Sequence, residues 1–151
     1  MNTLIKNRLY ALTIDLVIAF TLSFSLSFIH IAFFETIVKY DYRIGLTLLL
    51  SFFICKDSVL GQSIGKRIYT LKVVDFESRN LTTIKLIIRN LFVFLAPIEL
   101  LLLIYYDKRI GDSFVKSNVV KVVKTEKVSI NSILIYFISL ILTYIIIILL
   151  I

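Results

Sequence analysis

Long apolar runs separated by short basic stretches set the pattern of this chain. The first run, Leu9 to Phe34, holds one acidic residue, Asp15, and one histidine, His30. It exceeds the roughly 20 residues that cross a hydrocarbon core, so tilt or protruding ends are expected. The second, Ile44 to Cys55, is too short to span. Its helix is expected to begin earlier, near Thr36, bringing Tyr40 and Tyr42 to the interface. The third, Ile84 to Tyr106, carries Arg89, Asn90 and Glu99, and Pro97 interrupts it. Proline lacks the backbone donor and kinks or breaks a helix. The fourth, Val128 to Ile151, is almost wholly aliphatic and is the cleanest spanning signal.

The polar stretches carry a different period. Arg67 to Asp75 alternates and is rich in β-branched residues, which predicts a strand. Phe76 to Asn80 reads as a turn, and Leu81 to Ile84 as the return strand of a short cytoplasmic β-hairpin. Val119 to Val123 is also strand-like. The expected fold is therefore an all-α membrane protein. It is a polytopic bundle of three to four hydrophobic helices, one of them broken or re-entrant at Pro97, with a small hairpin. Residues 1–127 would form the main membrane domain and 128–151 an additional C-terminal transmembrane helix.

Composition agrees with the pattern. Hydrophobic residues make up 59% of the 151, against about 45–50% in soluble domains. The net charge of +7 would suggest nucleic acid in a soluble protein. Here the basic residues lie between apolar segments, as cytoplasmic loops do, and nucleic acid is not expected as a partner. The expected partners are the bilayer, its anionic headgroups and further copies of the chain. The link Glu35 to Arg43 is charge-balanced and fits the outer side.

Lys56 to Arg89 holds seven Lys and Arg, and Asp107 to Lys127 holds six. If the third segment spans once, one of these basic stretches lies outside, against the positive-inside tendency. If it folds back at Pro97, both stay inside. The N-terminus would then be cytoplasmic, with three full spans and an outward C-terminus.

Few residues carry candidate chemistry. Asp15 lies within hydrocarbon, where a charged aspartate costs about 2.5–3.5 kcal/mol on insertion scales. It needs a cation, and Arg8, Arg89 and Arg109 are the candidates. Arg8 lies seven residues before it, on nearly the same helix face. Asp15 is either a cation or proton site or the anion of a structural pair, and Glu99 beside Pro97 poses the same choice. The stretch Gly61-Gln-Ser-Ile-Gly65-Lys66-Arg67 fails the phosphate-loop pattern in spacing and in the residue after Lys. Lys66 and Arg67 are expected to touch lipid headgroups. Cys55 reads as a packing residue, and His30 as an outer-interface residue. No nucleophile, base and orienter assemble, so neither an enzyme nor a cofactor or metal site is expected.

These residues together resemble the RDD family of small bacterial membrane proteins, named for one arginine and two aspartates. Asn7-Arg8 through Ile14-Asp15 is similar to the family's opening helix. Lys56-Asp57 through Gly61-Gln-Ser63-Ile-Gly65-Lys66-Arg67, then Leu71 to Asp75, is similar to its central loop and strand. Arg89-Asn90 fits its third hydrophobic segment. Arg109-Ile-Gly111-Asp112 with Val119-Val120 looks like its closing motif, with Asp112 the second aspartate. Ser113 to Asn118 departs from the small, glycine-containing stretch usual there. The resemblance covers residues 7–120. It implies a bacterial inner-membrane protein with a suspected transport role, some relatives being linked to sodium–proton exchange. The charge network it implies is Arg8, Asp15, Arg109 and Asp112.

Overall fold

The computed structural model describes residues 3–34, 42–123 and 128–150. The expectations for the link Glu35 to Arg43 fall largely outside these residues. So does the side chain of His30.

Helix α1 (Thr3–Phe34) carries the first apolar run. It packs on α2 (Tyr42–Cys55). Ala19, Ser23 and Ser27, one turn apart, are buried, while Phe20, Phe24 and Phe28 point outward. Small residues on the inward face let helix backbones approach closely. A short helix, α3 (Ile64–Ile68), docks on α1 and leads into strand β1 (Leu71–Asp75).

The third apolar segment is two helices, α4 (Thr83–Leu91) and α5 (Ala96–Tyr106), joined by a 3-10 turn over Phe92–Leu95. The break precedes Pro97, which sits in the first turn of α5. There its missing N–H has no intrahelical partner to lose. A straight helix over these residues would be about 36 Å long. Instead both ends meet the N-terminal part of α1. Leu86 packs with Ala11, and the carbonyl of Asp107 accepts a hydrogen bond from Arg8 Nη1 at 2.7 Å. The segment turns back on itself.

Helix α6 (Ile110–Phe114) and strand β2 (Ser117–Lys121) follow. The sheet corrects the expected hairpin. β1 pairs antiparallel with β2, Val73 facing Val119. Leu81 and Thr82 make no strand, because Thr82 is the N-cap of α4. The only trace of the expected pairing is a bridge from Val74 to Asn80. The sheet therefore closes over the bent segment, with Leu71, Val73 and Val119 packed on Ala11 and Leu86. Helix α7 (Ile130–Leu150) packs on α2, where Thr143 Oγ1 lies 3.2 Å from Cys55 Sγ.

Among the described residues, three helical stretches are long and apolar enough to cross a bilayer: Thr3–Ile29, Thr83–Tyr106 and Ile130–Ile147. Beside its apolar core the molecule also buries charge, and it exposes apolar surface. Arg8, Asp57, Arg89 and Asp112 are buried, while most of the large apolar side chains of α1 and α7 are exposed. Water would penalise that arrangement, and lipid favours it.

Candidate functional site

Most of the buried charged side chains gather in one layer beside the N-terminal part of α1, built by motifs far apart in sequence. Asp112, in the first turn of α6, is its hub. Its Oδ2 accepts Arg8 Nη2 at 2.6 Å and the backbone N–H of Arg109 at 3.3 Å. Its Oδ1 accepts Arg89 Nε at 2.6 Å. Arg89, on α4, continues through Nη1 to Asp57 Oδ2 at 2.8 Å. Asp57 also holds Lys66 Nζ at 2.5 Å and Asn90 Nδ2 at 3.2 Å. The chain of contacts thus runs Lys66, Asp57, Arg89, Asp112, Arg8, and ties α1, α3, α4 and α6 together.

Two glycines permit this closeness. A Cβ on Gly65 would collide with the carbonyl of Ala11, and one on Gly111 with the carbonyl of Arg89. Their N–H groups are used as well. Gly65 donates to Asp15 Oδ1 at 2.9 Å, and Gly111 to Glu99 Oε1 at 3.1 Å.

Burial works against ionisation of Asp57, but Lys66, Arg89 and Lys56 outweigh it and hold the carboxyl well below its usual range. Burial likewise opposes charge on Asp112, and Arg89, Arg109 and Arg8 overcome it. With Lys56, Asp15, Glu99 and Asp107 included, five cationic and five acidic side chains meet in this layer. The layer is neutral as a whole.

The structure joins Arg8, Arg89 and Asp112 directly and sets Arg109 and Glu99 at their edge. Arg109 Nη1 lies 3.9 Å from Glu99, and its Nε 4.0 Å from Asp112. Asp15 stands apart. Its cation is Lys56 at 3.6 Å, rather than Arg8, Arg89 or Arg109. Its Oδ2 is buried without a hydrogen bond. Asp15, Lys56 and Arg89 line a cavity of about 20 Å³ with three further basic residues, room for about one water.

Lys66 is a second correction. It turns inward onto Asp57 and is buried, so it does not reach headgroups. Arg67 is half-buried beside it. Asp57 and Lys56 were missed as site residues because an acidic or basic residue in a polar stretch looks solvated. The signal available was their place between two apolar segments.

The pattern of the RDD family matches residues 3–151. The chain belongs to the RDD family. The match extends beyond the motifs at 7–120 and takes in α7. No curated protein and no solved structure matches the chain. Among the signature residues of this RDD protein, Arg8 and Asp112 are in direct contact, and Asp15 faces a separate partner.

Proposed function

We propose that this RDD protein is a multi-pass protein of the bacterial cytoplasmic membrane, spanned by α1, α7 and the second apolar segment, whose described part, α2, is by itself too short to cross. The bent third segment is re-entrant from the cytoplasmic side, and the N-terminus is cytoplasmic. What supports this is the return of both ends of that segment to the N-terminal part of α1. Both flanking basic stretches then lie inside, as the positive-inside tendency requires.

Within that frame the protein is transport-related, exchanging a monovalent cation for a proton at Asp15. The observation that carries this reading is the contrast between two buried carboxylates. Asp112 is saturated by close donors, whereas Asp15 Oδ2 has only Lys56 at 3.6 Å, beside a polar cavity. Burial lowers the proton affinity of the Lys56 ammonium, against the opposing pull of Asp57 and Asp15. A cation that reached Asp15 would displace that ammonium, and Lys56 would release a proton. One positive charge enters, one leaves, and the site keeps its charge. Three or so spans leave a monomer little room for a pathway, and a homo-oligomer would supply it.

The saturated cluster favours a second reading, in which all the charges only lock helices in a scaffold or accessory subunit. Ion flux in proteoliposomes separates the two. Transport predicts pH-coupled cation flux that Asp15→Asn abolishes while the melting curve is kept. Equal flux in both proteins, or none in either, would leave the scaffold.

A further inference from the structure

An apolar slot opens beside the charged layer, next to the Asp15 cavity, with which it shares Leu12, Lys56, Leu103 and Arg109. Its volume is about 210 Å³. Leu12, Leu16 and Phe20 of α1, Leu49 and Phe53 of α2, and Leu100 of α5 form its walls. It follows α1 from Leu12 to Phe20, a rise of about 12 Å. Its polar groups come from four residues: Lys56, Asn90, Glu99 and Arg109. Leu16, Phe20 and Leu100 are exposed on the outer surface, so the slot is open to the surroundings of the bundle.

The polar end holds two loosely engaged cations, Lys56 and Arg109, and one carboxylate oxygen, Glu99 Oε2, whose nearest cation is Arg109 at 3.9 Å. Glu99 Oε1 already accepts the Gly111 N–H. Asn90 Nδ2 is committed to Ile54 O and Asp57. The two cations are different. Lys56 Nζ lies 3.6 Å from Asp15 and 4.3 Å over the Phe53 ring, without a close acceptor. Arg109 has only the contacts at 3.9 and 4.0 Å. Both are longer than a charge-assisted hydrogen bond. An anionic head with two oxygens would complete both cations, and an aliphatic tail would fill the walls. The single narrow slot takes one chain.

We propose that this slot binds a single-chain aliphatic carboxylate, its head between Lys56 and Arg109 and its tail along α1. The ligand enters sideways from the bilayer, past Phe20. Lys56 serves both this head and the exchange proposed at Asp15; binding is read without ion flux, so either can fail while the other stands.

The chain has no tryptophan, so Phe20→Trp gives a single reporter in phosphatidylcholine nanodiscs. 12-Bromododecanoate should quench it saturably, and unlabelled dodecanoate should relieve the quenching. Losing one charged hydrogen bond weakens binding about tenfold or more, so Lys56→Gln and Arg109→Gln should each do so. Ala96 is exposed at the slot. Ala96→Phe should therefore narrow the slot and reduce binding in a protein that still folds. Dodecanol and dodecyltrimethylammonium should not compete. Quenching that fails to saturate, or that is equal in every variant, would mean simple partition into the bilayer and would overturn the proposal. Equal competition by the alcohol or the cation would do the same. Loss of the signal in phosphatidylglycerol nanodiscs would make a two-chain lipid the occupant instead.

Discussion

Replacing Arg89 by methionine removes the cation at the centre of the buried layer. Arg89 is 1% exposed and serves two carboxylates, Asp112 at 2.6 Å and Asp57 at 2.8 Å. Methionine refills much of the volume, so the cost is chiefly electrostatic. Removing one partner of a buried ion pair costs about 3–5 kcal/mol. Here each carboxylate keeps another cation, Arg8 for Asp112 and Lys66 for Asp57, which places the cost near the low end, about 3 kcal/mol. That is more than a hundredfold in the ratio of folded to unfolded protein. Reversible unfolding in mixed detergent, with rising dodecyl sulfate, reads it directly. Adding Asp57→Asn to the same chain should recover part of the loss, because one uncompensated charge is removed with it. Arg79 offers the contrast: it pairs with Asp75 at 3.2 Å but on the surface, and Arg79→Met should leave the midpoint where it was. A midpoint for Arg89→Met within error of wild type would refute the view that this layer holds the fold together.

Further outcomes follow from the same geometry. Gly65→Ala should destabilise by roughly 1–3 kcal/mol, since its methyl meets the Ala11 carbonyl; an unchanged melting curve would mean α3 can move away from α1 freely. Acid should destabilise the protein as pH falls below the ordinary carboxyl value of 3.8. The depressed carboxyl of Asp112 binds protons more readily in the unfolded chain, so its contribution is present above that pH and fades below it. Asp112→Asn should be less stable at neutral pH and show a flatter acid limb, and a steeper limb would contradict the sign. Cysteines at Val73 and Val119, in a Cys55→Ser background, should form a disulfide across the strands, because these residues are paired. Failure of that bond under copper-phenanthroline oxidation, with ready bonding of Val74→Cys to Leu81→Cys, would restore the local hairpin. Cysteines at Lys85 and Lys121 should both label from the cytoplasmic side, and a label on Lys121 from outside would reject the re-entrant segment.

Much of this was legible in the sequence. Asp15 and Arg89 stood out because charge is rare in an apolar run, and their burial follows from the same rarity. The break near Pro97 was legible too, though not its position: proline marks the start of α5, and the turn before it uses Phe92 to Leu95. Strand β1 was found from its alternation, but its partner was not. Leu81 to Ile84 was the nearer candidate, and local sequence does not show that the intervening segment returns to bring Val119 alongside. Asp57 and Lys66 were hidden for a complementary reason. Charges in polar stretches are solvated by default, and only the docking of α3 on α1 through Gly65 takes them out of water.

The contact between Arg8 and Asp112 joins residues 104 positions apart. During translation at about 5–20 residues per second, the opening helix emerges some 5–20 s before its counter-charge exists. Through that interval Arg8 lacks Asp112, and the far end of the bent segment has no α6 to dock on, although α4 can already reach Asp57 through Arg89. Assembly is therefore closed from the far end of the chain, by α6. A nascent chain that stops short of Asp112 leaves a positive charge unanswered in its first helix, a mark by which quality control could tell unfinished copies from finished ones.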